Sequence, residues 1–136
     1  MEKLFPARLV LVLSGLVGMV VGAGMLFVPV AFHASAGIVL DGSINLTSEM
    51  RAAGGPLLAG GVIIILGAFS GPLRFTALVI ACMFYLSYGV SRLLAMAIDG
   101  MPAQAIVMIT VLELVVGLLC SVALVFHLRT AHRAQM

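Results

Sequence analysis

Four long runs almost free of charge take up most of this chain: Leu9 to Phe32, Ala52 to Phe69, Phe75 to Ile98 and Pro102 to Phe126. Only two charged residues interrupt them, Arg92 and Glu113. A helix needs roughly 20 apolar residues to span a hydrocarbon layer about 30 Å thick, and each run approaches or exceeds that. With 63% hydrophobic and 9% charged residues in a chain of 136, too few polar groups exist to cover a water-facing surface, so lipid is the expected solvent. The fold class that follows is all-α: an antiparallel bundle of four transmembrane helices, expected over about 9–32, 48–69, 73–98 and 102–128. The whole chain, 1–136, is expected to form one domain, with a longer external loop between the first two helices.

Composition also excludes several functions. A net charge of +2, carried by basic residues placed singly near helix ends, gives no stripe for nucleic acid. Cys82 and Cys120 lie deep in apolar runs without CxxC spacing and are expected to be packing residues. His33 lies at the end of the first run, and His127 and His132 at the end of the last, so no histidine pair sits at mid-membrane to hold a haem. There is no nucleophile beside a histidine base, no metal-ligand cluster and no phosphate-cradling glycine loop. The chain is expected to be non-enzymatic and to carry no cofactor. Lys3 and Arg8 before the first run, with Ala34-Ser35-Ala36 after it, mimic a secretory signal, but the run exceeds the roughly 7–15 residues of a signal core. A retained first helix is expected.

Positive charges set the orientation. Lys3, Arg8, Arg74, Arg129 and Arg133 share one side, and Asp41, Glu49 and Asp99 the other, with Arg51 near the start of the second span. The positive-inside rule then puts both termini in the cytoplasm. Ser70-Gly71-Pro72-Leu73 and Asp99-Gly100-Met101-Pro102 read as tight turns joining antiparallel neighbours. Between His33 and Met50, the segment around Asp41-Gly42 fits a small hairpin or an irregular loop. Thr47 or Ser48 is the expected cap of the second span. Asn45-Leu46-Thr47 matches a glycosylation acceptor, a short pattern of little weight here.

Small residues mark the helix contacts. Ser14, Gly18 and Gly22 recur at spacings of four in the first span, and Gly54, Gly55, Gly60, Gly61 and Gly67 crowd the second. Such spacing lets helix backbones approach closely in lipid, so Gly18, Gly22, Gly55 and Gly60 are the expected packing positions. They serve either the bundle itself or contacts between protomers. Pro56 is expected to weaken the backbone near the external end of the second span.

The charges carry what function can be read. Arg92 lies about 10 Å below the external end of the third span and Glu113 about 16 Å down the fourth, at 1.5 Å per residue. An ion pair between them is the economical arrangement, since either charge alone in hydrocarbon is costly. Tyr85, Tyr88 and Arg92 share one face of the third span, which Met96 continues. With Glu49, Arg51, Asp99 and Glu113, these residues are candidates for a polar pocket opening outward.

The string Ser48-Glu49-Met50-Arg51-Ala52-Ala53-Gly54-Gly55, Arg92, the Asp99-Gly100-Met101-Pro102 turn and Glu113 together resemble domain-of-unknown-function family 4345, small bacterial four-helix membrane proteins. The Glu-x-Arg-x-x-Gly-Gly segment is the most specific part. Ala53 stands where the family pattern leads us to expect an aromatic residue. The resemblance implies a multi-pass protein of the bacterial inner membrane with a shared charged cluster, and brings no established activity. Two functions fit these features: a protein binding a lipid, quinone-like or other small amphipathic molecule among the charges, or an accessory or self-assembling subunit of a membrane complex in which the charges brace the bundle. Membrane lipid is an expected partner in either case.

Overall fold

The computed structural model describes residues 5–133; Lys3, counted among the basic residues of one side, lies outside them. The chain forms α1 (Phe5–Phe27), α2 (Pro29–Ser35), α3 (Ile44–Phe69), α4 (Gly71–Asp99) and α5 (Gln104–Arg133), and no strand occurs among the described residues. Four of these helices, all but α2, are long and apolar enough to cross a membrane.

The first apolar run is split where the sequence suggested one continuous helix. Val28 precedes a proline, and the proline ring disfavours helical backbone in the residue before it. Val28 accordingly sits at φ −132°, ψ 52°, while Pro29 opens α2, where its missing N–H costs nothing. Farther on, the Asp41-Gly42 turn forms: both residues have positive φ (42° and 69°), and the Ser43 N–H donates to the Leu40 carbonyl at 3.1 Å. No strands flank it, because Ser43 is already the cap of α3. Its Oγ accepts from the Leu46 N–H at 3.3 Å. Capping thus falls on Ser43 rather than on Thr47 or Ser48, and α3 begins a full turn earlier than expected. The helix continues through Pro56.

The later turns follow their sequence signals. Ser70 alone separates α3 from α4, with Pro72 in the first turn of α4. Gly100 ends α4 at φ 96°, a backbone conformation that favours glycine. Arg74, one of the basic residues that set the expected orientation, is buried in the first turn of α4. Its Nη2 donates to the Ala68 carbonyl at 3.4 Å, and its Nε has no partner among the described residues.

Glycines set how closely the helices meet. The most extensive contact is between α1 and α3. There Gly18 faces Gly61, and a Cβ placed on Gly61 would fall 2.7 Å from the Met19 nitrogen and 2.9 Å from the Gly15 carbonyl oxygen. A Cβ on Gly54 would lie 2.7 Å from the Leu26 nitrogen, and one on Gly22 would strike the Leu58 backbone. The neighbouring face of α3 turns to α4, where Gly60 lies under the Phe84 ring and Gly67 against Ala77. Gly55, expected at a contact, faces open space instead. One residue of helix turns a side chain by about 100°, so Gly54 and Gly55 cannot serve the same neighbour.

Contacts run α1–α3, α3–α4, α4–α5 and, more thinly, α5–α1, while α3 and α5 make no close backbone approach. The four long helices therefore stand in a ring. Its core toward the Ser70 end is Leu11, Ile64, Ala68, Ala77, Leu78, Ala81, Cys82 and Cys120. Both cysteines are free and buried. Tyr85 closes this layer, its hydroxyl donating to the Ser14 carbonyl at 2.5 Å.

Overpacking a tight helix contact costs about 1–3 kcal/mol, whereas glycine to alanine on an open helix face gains up to about 1 kcal/mol. Gly61→Ala is therefore expected to lower the melting temperature in detergent, and Gly55→Ala to leave it unchanged or raise it. Equal melting temperatures for the two variants would contradict this packing.

Candidate functional site

Toward the α2 end, the ring of helices does not fill its own centre. A cavity of about 200 Å³ remains, reached by residues from all five helices. Its walls are mainly apolar: Val17, Val21 and Met25 from α1, Leu57 and Ile64 from α3, and Ile106, Ile109 and Leu112 from α5. Phe32, Ala36 and Ile38 close it on the side of α2 and the following loop. Phe32 reaches this place because α2 folds back on α1, bringing its ring over Gly24, where no side chain obstructs it.

One ion pair lies in this apolar surround. Tyr85, Tyr88 and Arg92 occur at steps of three and four along α4, and all three line the cavity with Phe84. The Arg92 Nε donates to Glu113 of α5, at 3.0 Å to Oε2 and 3.3 Å to Oε1. The side chains are 32% and 13% exposed, respectively, without a surrounding membrane. Around the pair, α4 and α5 mesh by way of Gly89 beneath Leu114 and Gly117 beneath Leu86. The ion pair uses Nε of Arg92, and neither Nη group makes a hydrogen bond to the other described residues, so the guanidinium keeps donor capacity beyond the pair.

His33 completes the polar set. It is buried, lines the cavity and stands edge-on to Phe32, with ring centroids 5.6 Å apart. Its Nδ1 lies 2.8 Å from the Pro29 carbonyl oxygen. A carbonyl only accepts, so Nδ1 carries a proton in this contact, and Nε2 is the ring nitrogen left for other partners.

The seven candidate residues do not come together as one cluster. Tyr85, Tyr88, Arg92 and Glu113 share the cavity, while Glu49, Arg51 and Asp99 are exposed and line none of it. Arg51 has a structural task instead: its Nη1 donates to the Leu26 and Phe27 carbonyls, the last of α1. Those carbonyls lack helical partners and carry the negative end of the helix dipole, so a guanidinium satisfies both needs. Asp99 ends α4 beside Gly100. His33 and Phe32 are absent from the sequence-based set. The usable signal was the Pro29 to His33 spacing of four, which lets a histidine bond back to a carbonyl one turn earlier, once Pro29 is seen as a helix start.

Architecture and site thus define an all-helical protein with four long apolar helices around a small cavity that holds one ion pair. The chain matches the family model described as "Domain of unknown function (DUF4345)" over residues 6–124 and belongs to that family. No curated protein and no solved structure matches it.

Removing either ion-pair partner strands the other in a largely apolar site. Arg92→Ala and Glu113→Ala are each expected to destabilise the fold by about 1–3 kcal/mol, allowing for the partial exposure of Arg92. The double variant should lose clearly less than the sum, as coupled neighbours do. Strict additivity in a double-mutant cycle of melting measurements would show that the two side chains do not interact.

Proposed function

We propose that this is a non-enzymatic integral membrane protein of the bacterial inner membrane that holds a small amphipathic molecule in the cavity between its helices. The observation that carries this is the cavity itself: apolar walls that include one ion pair and two tyrosines, the composition of a binding pocket rather than of a packed brace. Arg92 and Glu113 are engaged with each other, which suits holding a ligand more than turning one over.

Several features support the membrane setting. The 26 residues of α3 extend about 39 Å, enough to cross the hydrocarbon and reach both interfaces. Large apolar side chains such as Val20, Leu94 and Leu118 point outward and are more than half exposed in the bare chain. Helix contacts pair in opposing chain directions, Gly67 with Ala77 and Gly60 with Phe84, as an antiparallel bundle requires. Arg8, Arg74 and Arg129 belong to the end opposite α2, which supports a cytoplasmic placement of both termini and an external α2. The alternative role as a self-assembling subunit draws less support, because the glycines of α1 and most of those of α3 are used within the chain; only Gly55 of α3 is left open.

Native mass spectrometry of gently extracted protein tests the binding role. A bound small molecule is expected on the wild type and is expected to be lost from Val21→Trp, which fills the cavity, while the fold survives. Bare wild-type protein under every extraction condition would overturn the proposal. Orientation has its own test: Ser43→Cys should react with an impermeant thiol reagent on intact cells and Ser70→Cys only after permeabilisation, with the buried Cys82 and Cys120 silent. The reverse pattern would invert the topology.

A further inference from the structure

From the shape and charge of the cavity we infer the chemical class of its occupant: an uncharged molecule with a single aromatic ring bearing a hydroxyl, of the phenol or quinol kind. This rests on the binding role proposed above. Three observations converge on it. First, size: an apolar cavity of about 150 Å³ holds one benzene ring, so about 200 Å³ gives room for one substituted ring. Any longer tail has to leave through the opening. Second, wall chemistry: Phe32, Phe84, Tyr85 and Tyr88 present aromatic rings to the space, and aromatic pairs gain from offset or edge-on contact beyond simple burial.

Third, charge. Arg92 and Glu113 cancel, so the cavity offers no net charge to compensate an ion brought out of water. A carboxylate or phosphate entering it would have to compete with Glu113 for the guanidinium, and desolvating an unpaired ion is costly. A hydroxyl has no such penalty and uses both kinds of polar group present. It accepts from the free Arg92 Nη fork or the Tyr88 hydroxyl, and donates to Glu113 or to Nε2 of His33. A hydrocarbon of the same size would leave those groups unsatisfied.

The test uses three probes of matched shape, 4-propylphenol, propylbenzene and 4-propylbenzoate, titrated into the full-length protein in nanodiscs. Val21→Trp protein serves as the control for partitioning into lipid. The phenol is expected to bind saturably and at least tenfold more tightly than either of the others, and to lose that advantage in Tyr88→Phe or Arg92→Leu. Melting temperature reports whether each variant still folds, and Tyr88→Phe removes only one oxygen. Benzoate binding as tightly as the phenol would overturn the class in favour of an anion, and propylbenzene doing so would show that the polar groups play no part. Failure of all three probes while a co-purified molecule is still seen by mass spectrometry would reject the phenolic class and spare the binding role. The same failure with no co-purified molecule would reject both.

Discussion

The fold depends on pairing two opposite charges, Arg92 and Glu113, that lie inside the apolar stretches of two adjoining helices. A charge in apolar surroundings is costly unless it is paired, and placing Arg92 against Glu113 offsets that cost for both helices at once. The pair fixes the rotation of α4 relative to α5, since the guanidinium and carboxylate meet only when one face of each helix is turned to the other. Once that rotation is set, Tyr85 and Tyr88 must face the same interior as Arg92. The ion pair and the aromatic lining of the cavity therefore share one geometric cause.

Glycine supplies the complementary constraint. In lipid, apolar surface gains little by meeting other apolar surface, so helices associate where backbones can come close. The α1–α3 contact does this with Gly15, Gly18, Gly22, Gly54 and Gly61. Close approach on that side leaves α1 and α5 in thinner contact across the ring, and the cavity lies where the packing is loosest. Tight and loose seams are two results of one distribution of small residues. Arg51 ties the same corner together by capping the end of α1, which keeps the break at Val28 in place and α2 turned over the cavity.

Much of this was legible in the sequence because the controlling terms are local or one-dimensional. Run length gives four long helices, and the depths of Arg92 and Glu113 along adjoining helices bring them to contact. The three-and-four spacing of Tyr85, Tyr88 and Arg92 gives their common face. Harder to read were features decided by competition between signals. Ser43, Thr47 and Ser48 are all able caps, and Ser43 wins because the Asp41-Gly42 turn delivers the chain there already reversed. Pro29 lies inside an apolar run whose hydropathy hides a break. That break turns His33 from a terminal residue into a cavity residue. Gly55 shows the same limit: it has a plausible contact role by composition, and one step of helical phase decides otherwise.

At the centre stands a single contact, the Arg92 guanidinium on the Glu113 carboxylate beside an open cavity. Solid-state NMR on protein in lipid bilayers, labelled to report the dipolar coupling between the Arg92 Nε and the Glu113 Cδ, reads that contact without mutation or detergent. A strong coupling is expected, consistent with an Nε to Oε2 separation of 3.0 Å. A coupling too weak for direct hydrogen bonding would contradict the ion pair, and with it the rotation of α4 and α5 that builds the cavity.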